Sequence, residues 1–231
     1  LDATFYMPTE GDGTFPFPTR YTHMAALATA FEWGRLKMQA SVLGYFVHEK
    51  VERFEARPDK AVATPAFFGS FKVLKNHDLS VRAFYKRMFR MPTFNDLYYT
   101  DMGNAFLKPE YAEQFNVGLK YTRNFEKSPF MRMLDVSVDA YYNKITDKII
   151  AYPKGQQFRW TMLNLGEVEI KGVDAVLNTQ FSLGKLEVTT KFQYTYQKAI
   201  DITDPADTYY RDQIPYIPWH SGSAILALFY K

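Results

Sequence analysis

Apolar and polar residues alternate with a period of two over most of this chain. The alternation is clearest at 113–121, 132–142 and 185–197, where each segment has one apolar and one polar set of positions. Successive side chains of a β-strand point to opposite faces of a sheet, so this period indicates strands with two unlike faces. We therefore predict an all-β protein, and no segment predicts a helix.

About nine strands are predicted, and they follow one another along the whole chain. Their expected bounds are 21–32, 35–49, 62–74, 79–98, 111–123, 132–151, 158–181, 185–200 and 219–231. Several exceed the roughly five to six residues that are typical of soluble sheets. Strands of about twelve residues suit segments that cross a bilayer at a tilt and project beyond it.

The connections between these strands alternate in length. Short turns are expected at 33–34, 75–78, 124–130 and 182–184, and mostly longer connections at 50–61, 99–110, 152–157 and 201–218. This alternation predicts an antiparallel up-and-down meander with one functional rim, as in a transmembrane β-barrel. We expect the apolar face to contact lipid and the polar face to line a lumen.

One long, tyrosine-rich connection is the most informative segment of the chain. Between two alternating stretches lies MPTFNDLYYTDMGNAFLKPE, which is rich in Pro, Asn, Asp, Gly and Tyr. Such loops are uncommon in compact soluble domains but normal on one side of a membrane barrel. A soluble β-sandwich also shows alternation, but strand length, hairpin order and the rim of long loops favour the barrel.

Composition narrows the possible functions. The 231 residues carry 28 Lys and Arg against 25 Asp and Glu, and this net charge of +3 is too small and too scattered for nucleic-acid binding. The chain has no cysteine, which excludes disulfides and thiolate metal sites. Its aromatic content of 17% suits interfacial girdles. No apolar run is long enough for a transmembrane helix, but barrel strands are only half apolar.

Four motifs in order resemble those of the TonB-dependent outer-membrane receptors of Gram-negative bacteria. They are YKRMFRMPTFNDLYY at 85–99, GNAFLKPE at 103–110, NLG with IKGVD at 164–174, and IPYIPWH at 214–220. The family patterns are SFRAPTFNDLY, GNPxLKPE, a strand with GvE, and iPyiPxh. Ala105 replaces the proline of the second pattern, and Asp174 replaces the glutamate of the third. Within the family, the resemblance is best to vitamin B12 (cobalamin) receptors and their Bacteroidetes-type relatives.

The resemblance implies a large barrel of the 22-stranded type with an N-terminal plug domain. Residues 1–231 would be a partial barrel domain that lacks the plug, the early strands and about four final strands. The implied function is outer-membrane active transport of a scarce nutrient, such as cobalamin or an iron–siderophore or haem complex, energised through TonB. The implied partners are the TonB complex, a small-molecule ligand and outer-membrane lipid. The long loops would be extracellular, and no enzyme activity, cofactor or resident metal is expected.

Two sets of residues are candidates for these roles. The motif positions are expected to be architectural, with Gly103 and Asn104 tolerating positive φ and Gly172 allowing a bulge or a close backbone approach. The full motif set is Arg90, Pro92, Asn95, Leu97, Gly103, Asn104, Pro109, Glu110, Asn164, Gly166, Gly172, Pro215 and Pro218. The rim set, able to stack on and hydrogen-bond a large planar ligand, is Tyr98, Tyr99, Arg159, Trp160, Tyr209 and Tyr210. Girdle or loop packing is the simpler interpretation of the rim set.

Other kinds of site are less well supported by the sequence. The histidines match no catalytic or metal motif, although Asp101 and His220 can in principle meet at the rim. The segments around His48–Glu52 and Asp201–Asp207 are rich in potential metal ligands, but solvated charge explains both better. The alternative function class is a non-transporting outer-membrane or surface β-sheet module for binding or adhesion.

Overall fold

One antiparallel sheet accounts for almost all of the structure. The computed structural model describes residues 16–53, 55–74, 78–99, 102–154, 159–214 and 217–230. The strands pair in chain order from first to ninth, which confirms the predicted meander. They are β1 (Thr19–Trp33), β2 (Leu36–Lys50), β3 (Lys60–Lys72), β4 (Asp78–Arg90), β5 (Glu110–Asn124), β6 (Met131–Lys154), β7 (Arg159–Leu183), β8 (Leu186–Asp201) and β9 (His220–Tyr230).

The strands are long and their register is regular. Their lengths run from 11 residues in β9 to 25 in β7. Within the described pairings, the register shifts only between Met131 and Met133. Because the side-chain period is two, an unbroken register keeps each strand's apolar set on the same side of the sheet. Among the described residues, no helix is long and apolar enough to cross a bilayer.

The two faces of the sheet differ in chemistry, as the alternation predicts. The outer face carries continuous apolar rows, of which one runs Val81, Leu119, Val138, Ala175 and Tyr194 across five strands. Leu119 is 52% exposed, and no described layer packs against this face. The inner face carries polar networks, including an ion pair from Arg82 Nη2 to Asp139 Oδ2 at 2.5 Å. An exposed apolar face and a polar inner face are the pattern of a barrel wall in lipid.

The prediction of one strand over 79–98 is wrong in its second half. β4 ends at Arg90, and a short helix, α1 (Phe94–Tyr98), follows. The Thr93 hydroxyl accepts a hydrogen bond from Asp96 N–H at 3.1 Å, and the Asp96 carboxylate accepts one from Thr93 N–H at 2.9 Å. This capping box satisfies two amides at the helix start. The expectation of no helix therefore failed where a local polar motif outweighed the surrounding β pattern.

The buried core lies at the long-connection end, on the inner face. One hydrophobic cluster joins Ala112, Ile145, Val168, Ile170 and Ala199 of the strands to Ile214 of the last long connection. A second cluster joins Ile149 of β6 to Leu97 and Leu107 of the connection between β4 and β5. Both connections therefore fold inward over the sheet.

Gly172 occupies a tight position in the middle of β7. A Cβ built on it would lie 2.3 Å from the Tyr141 hydroxyl oxygen and 2.6 Å from the Tyr196 carbonyl oxygen. Tyr141 is its direct partner on β6, so the phenol ring covers the glycine on the inner face. The close approach at Gly172 involves this ring and the backbone of the neighbouring strand β8. The described register shows no bulge at Gly172.

We expect Gly172→Ala to lower the stability of the intact barrel by about 1–3 kcal/mol, because the Tyr141 ring must move to admit the methyl group. Thermal unfolding of the detergent-purified protein would measure the loss. Gly69→Ala is the matched control, since Gly69 lies inside β3 and a Cβ there meets nothing within 4 Å. Replacing Tyr141 with alanine in the Gly172→Ala background should recover part of the loss. Equal melting temperatures for the two single variants would contradict this role.

Candidate ligand-binding rim

The long connections on one edge of the sheet form the rim, and the segment 91–109 is the one that contains a helix among the described residues. This segment, here called the cap, leaves β4, forms α1 and returns to β5 across the inner face. Leu97 is 2% exposed and Leu107 is 1% exposed, so the cap has its own buried side chains. It is therefore a folded component of the wall.

Asn164 of β7 fastens the cap to the neighbouring hairpin. Its side-chain amide donates to the carbonyl oxygens of Lys108 at 3.1 Å and Asp147 at 2.7 Å. Its carbonyl oxygen accepts a hydrogen bond from Lys108 N–H at 2.7 Å. A single asparagine thus satisfies three backbone groups that no ladder can pair.

Asn104 makes the reciprocal contact from the cap to β7. Its side-chain amide donates to the Met162 carbonyl oxygen at 3.0 Å, while Met162 N–H donates to the Met102 carbonyl oxygen at 2.8 Å. The second and third sequence motifs, about sixty positions apart, are therefore two sides of one hydrogen-bonded contact.

Gly103 is needed for close packing inside the cap. A Cβ at this position would lie 2.7 Å from both the Leu97 carbonyl oxygen and the Tyr99 amide nitrogen. Neither Gly103 nor Asn104 has the positive φ that the sequence suggested. The absence of a side chain, which lets the turn after α1 close on itself, is the physical reason for glycine here.

Charged motif residues hold the two ends of the cap together. Arg90, the last residue of β4, lies 3.9 Å from the Asp96 carboxylate and 3.7 Å from the Glu110 carboxylate. Glu110 opens β5, and its Oε2 accepts a hydrogen bond from Ile149 N–H at 3.0 Å. Three other motif residues of the cap differ in burial: Pro92 is fully buried, Pro109 is half-buried and the Asn95 side chain is exposed.

A second attachment comes from β1 and β2, and the sequence analysis missed it. Arg20 Nε donates to Glu49 Oε1 at 2.6 Å, and Arg20 Nη2 donates to the Pro92 carbonyl oxygen at 2.7 Å. The Arg20 guanidinium also lies 4.9 Å from the centre of the Phe94 ring. The Glu49 side chain is only 2% exposed, and Arg20 is its ion-pair partner.

Arg57 adds a third attachment from the connection between β2 and β3. Its guanidinium donates to the carbonyl oxygens of Leu107 and Ala105. Burial lowers the pKa of Arg57, and the nearby Glu49 carboxylate opposes that shift. Arg20, Glu49 and Arg57 share no motif and lie well before the cap in sequence, so only the fold brings them to it.

The predicted rim residues fall into exposed and packed groups. Tyr98 packs beside Phe94 against the second hydrophobic cluster, and burial raises its pKa. Tyr99 is 59% exposed and Tyr209 is 68% exposed, so both present an aromatic ring at the rim. Trp160 and Tyr210 are half-buried. The Arg159 side chain lies outside the described part of the structure.

The last long connection is held down by its own turn residues. Thr203 Oγ1 accepts a hydrogen bond from Glu167 N–H at 2.9 Å, and a Cβ on Gly166 would lie 2.3 Å from the Thr203 methyl carbon. Ile214 N–H donates to the Ala199 carbonyl oxygen at 2.9 Å, which closes the first cluster. Pro218 is exposed, and Pro215 lies outside the described residues.

The alternative sites considered from the sequence gain no support. His48 and Glu49 are adjacent on β2 and so point to opposite faces of the sheet. The acidic segment uses its carboxylates locally, as where Asp204 Oδ1 accepts Ala206 N–H at 2.9 Å. No cluster of potential metal ligands occurs among the described residues. Asp101 lies outside them, and the His220 ring hydrogen-bonds the Tyr194 hydroxyl at 2.7 Å.

We expect Asn164→Ala to loosen the cap by about 1–3 kcal/mol, because it leaves the backbone groups of Lys108 and Asp147 without partners. Hydrogen exchange of the intact protein should show faster exchange at 102–109, with strand amides unchanged. Asn95→Ala is the matched control, because that side chain is exposed on α1. Unchanged protection of 102–109 in Asn164→Ala would show that the clusters hold the cap without the asparagine.

Comparison with known proteins agrees with this architecture. The family described as TonB dependent receptor-like, beta-barrel matches residues 4–230. The vitamin B12 transporter BtuB of Vibrio vulnificus is 32% identical over 99 residues, which cover 43% of this chain and 14% of that protein. BtuB of Photobacterium profundum is 34% identical over 113 residues, which cover 46% and 16% of the two chains. The matched stretches are therefore a small part of these relatives.

Solved structures show the same fold at low sequence identity. The copper transporter OprC matches with a TM-score of 0.67 and 18% identity, covering 93% of this chain and 32% of its own. The FrpB iron transporter from Neisseria meningitidis (F3-3 variant) matches with a TM-score of 0.54 and 14% identity, covering 85% and 28%. With a family match over nearly its whole length and a nine-stranded meander, this chain belongs to the TonB-dependent receptors, a family of outer-membrane proteins.

Proposed function

We propose that the intact protein containing this chain is an active-transport receptor that takes up a scarce nutrient and is energised through TonB. The relatives matched over 99 and 113 residues are vitamin B12 transporters, so cobalamin is the first ligand to test. An iron–siderophore or haem complex is the next, because the family resemblance extends to those receptors. Residues 1–231 supply part of the barrel wall, and contact with TonB is made elsewhere in the protein.

One observation carries this proposal: hydrogen bonds and buried side chains attach the cap to the wall, while neighbouring aromatic rings stay exposed. Leu97 and Leu107 are buried, whereas Tyr99 is 59% exposed in the same segment. A binding surface that is held before the ligand arrives loses less conformational freedom on binding. Aromatic rings with polar tips suit a large planar ligand such as a corrin or a porphyrin.

The location of the rim supports an outward-facing receptor. Three of the four connections at one edge of the sheet, 51–59, 91–109 and 202–219, are longer than every turn at the opposite edge. In outer-membrane barrels the longer loops are extracellular and the turns are periplasmic. We therefore place the cap and the last long connection on the extracellular side, where a nutrient first meets the protein. In this role the protein binds and passes a ligand without chemical conversion.

We expect the intact protein in detergent to bind cobalamin tightly and saturably in isothermal titration calorimetry. Tyr99→Ala and Tyr209→Ala should each weaken binding by about tenfold if their rings contact the ligand. Tyr230→Ala is the matched control, because Tyr230 is 77% exposed at the short-turn edge.

Parallel titrations with a ferric siderophore and with haem separate the alternatives. Binding of one of these instead of cobalamin would keep the receptor and change the nutrient. Absence of binding for all of them would favour a non-transporting surface module. Equal affinities for the Tyr99, Tyr209 and Tyr230 variants would remove the first two residues from the binding site.

A further inference from the structure

The outer face carries two lysines that oppose each other near the rim edge of the apolar surface. Lys171 of β7 and Lys198 of β8 are direct cross-strand partners. Their positions in the alternation place both on the outer, lipid-facing side, in the same row as Tyr142 and Phe115. Like charges directly opposite each other destabilise a sheet, so this pair calls for a compensating negative charge.

The compensation available from the described residues is incomplete. Lys171 Nζ lies 2.7 Å from Glu169 Oε1. No described carboxylate lies within 4 Å of Lys198 Nζ, which sits 5.7 Å from the centre of the Trp219 ring. The Glu169 carboxylate therefore pairs with Lys171 alone, and the positive charge of Lys198 has no carboxylate partner among the described residues.

An apolar groove adjoins this pair on the same face. The row next to the lysines, toward the short-turn edge, consists of the smaller side chains Val117, Ala140 and Val173, and ends at Tyr196. The larger rings of Phe115 and Tyr142 border these small residues, and the resulting groove has a volume of about 490 Å³. The rings of Phe115 and Tyr142 lie 6.3 Å apart.

Positive charge beside an apolar groove is complementary to a lipid that has an anionic headgroup and an acyl chain. A phosphorylated lipid has an anionic headgroup at the membrane surface and an acyl chain that extends into the apolar layer. Tyr142, Tyr196 and Trp219 have the amphipathic rings that sit at headgroup level in membrane proteins. Lysines near this level attract anionic headgroups.

We propose that Lys171 and Lys198 bind the phosphate of one phosphorylated lipid of the outer membrane, and that its acyl chain lies in the groove over Ala140 and Val173. The phosphate bridges the two ammonium groups and supplies the charge that Glu169 alone does not. This site lies on the outer face, whereas the cap lies on the inner face, so it is separate from the proposed nutrient site. The inference rests on membrane location and not on the identity of the nutrient.

Native mass spectrometry of the intact protein in neutral detergent tests this proposal. The protein would be incubated with equal amounts of phosphatidylglycerol and phosphatidylcholine that carry identical acyl chains. Because each lysine near the surface contributes roughly a fivefold preference for an anionic lipid, we expect the preference to fall about 25-fold in Lys171→Gln/Lys198→Gln. Lys191→Gln is the matched control, since Lys191 lies on β8 but faces inward.

Further experiments distinguish the contribution of the headgroup to binding from that of the acyl chain. Inorganic phosphate at millimolar excess should not displace the bound lipid, and diacylglycerol, which lacks phosphate, should bind no better than phosphatidylcholine. Ala140→Trp fills the groove while both lysines remain, and it should also abolish tight binding. Near-ultraviolet circular dichroism would check that each variant is folded.

Three results would contradict the proposed lipid site. Equal binding of the two phospholipids by the unchanged protein would refute the site, because the choline cation of phosphatidylcholine already neutralises its phosphate and the two lysines should disfavour it. An equal loss in Lys191→Gln and in the double variant would attribute the preference to net charge alone. Retained tight binding in a folded Ala140→Trp protein would show that the acyl chain does not lie in the groove.

Discussion

The structure depends on one constraint, which is that backbone amides and carbonyls need partners wherever water is excluded. In a lipid environment this requirement is met only by α-helices, which pair their backbone groups internally, or by β-strands paired with their neighbours in a barrel. The nine strands are paired in chain order, so each one hydrogen-bonds to its neighbours. Among the described pairings, the register shifts only once. This regular pairing allows one face to be apolar throughout, because a slip of one residue would place charged side chains in the lipid.

The same constraint explains the motifs at the rim. Once the chain leaves the ladder between β4 and β5, its backbone groups lose their strand partners. Asn164 binds the backbone amide and carbonyl of Lys108, the Asn104 side-chain oxygen accepts a hydrogen bond from Phe106 N–H, and Arg57 binds two further carbonyl oxygens. Residues that appear in sequence as a family pattern are therefore substitutes for the missing sheet. Their placement on the inner face turns a long connection into a fixed surface.

The attachment of the cap to the wall also fixes the position of one exposed aromatic ring. Tyr98 and Tyr99 are adjacent, yet one ring packs into a hydrophobic cluster and the other is exposed. Burial of the first anchors α1, and this anchoring holds the second in place. The outer face shows a comparable division, where aromatic rings beside Lys171 border an apolar groove and the Lys171 ammonium pairs with Glu169. Each face thus combines apolar anchoring with a charged or aromatic group available to a ligand.

The sequence by itself determined the class of fold, the order of the strands and the chemistry of both faces. Alternation is a local signal, and a period of two places each side chain on one face whatever lies beyond the strand. The sequence did not reveal α1, because a four-residue capping box is weak beside a strong strand pattern. It also did not reveal the contact of Arg20 with Glu49, or the cross-strand pairing of Lys171 with Lys198. Both join positions distant in sequence, and strand register together with inward folding of the connections decided which charges lie side by side.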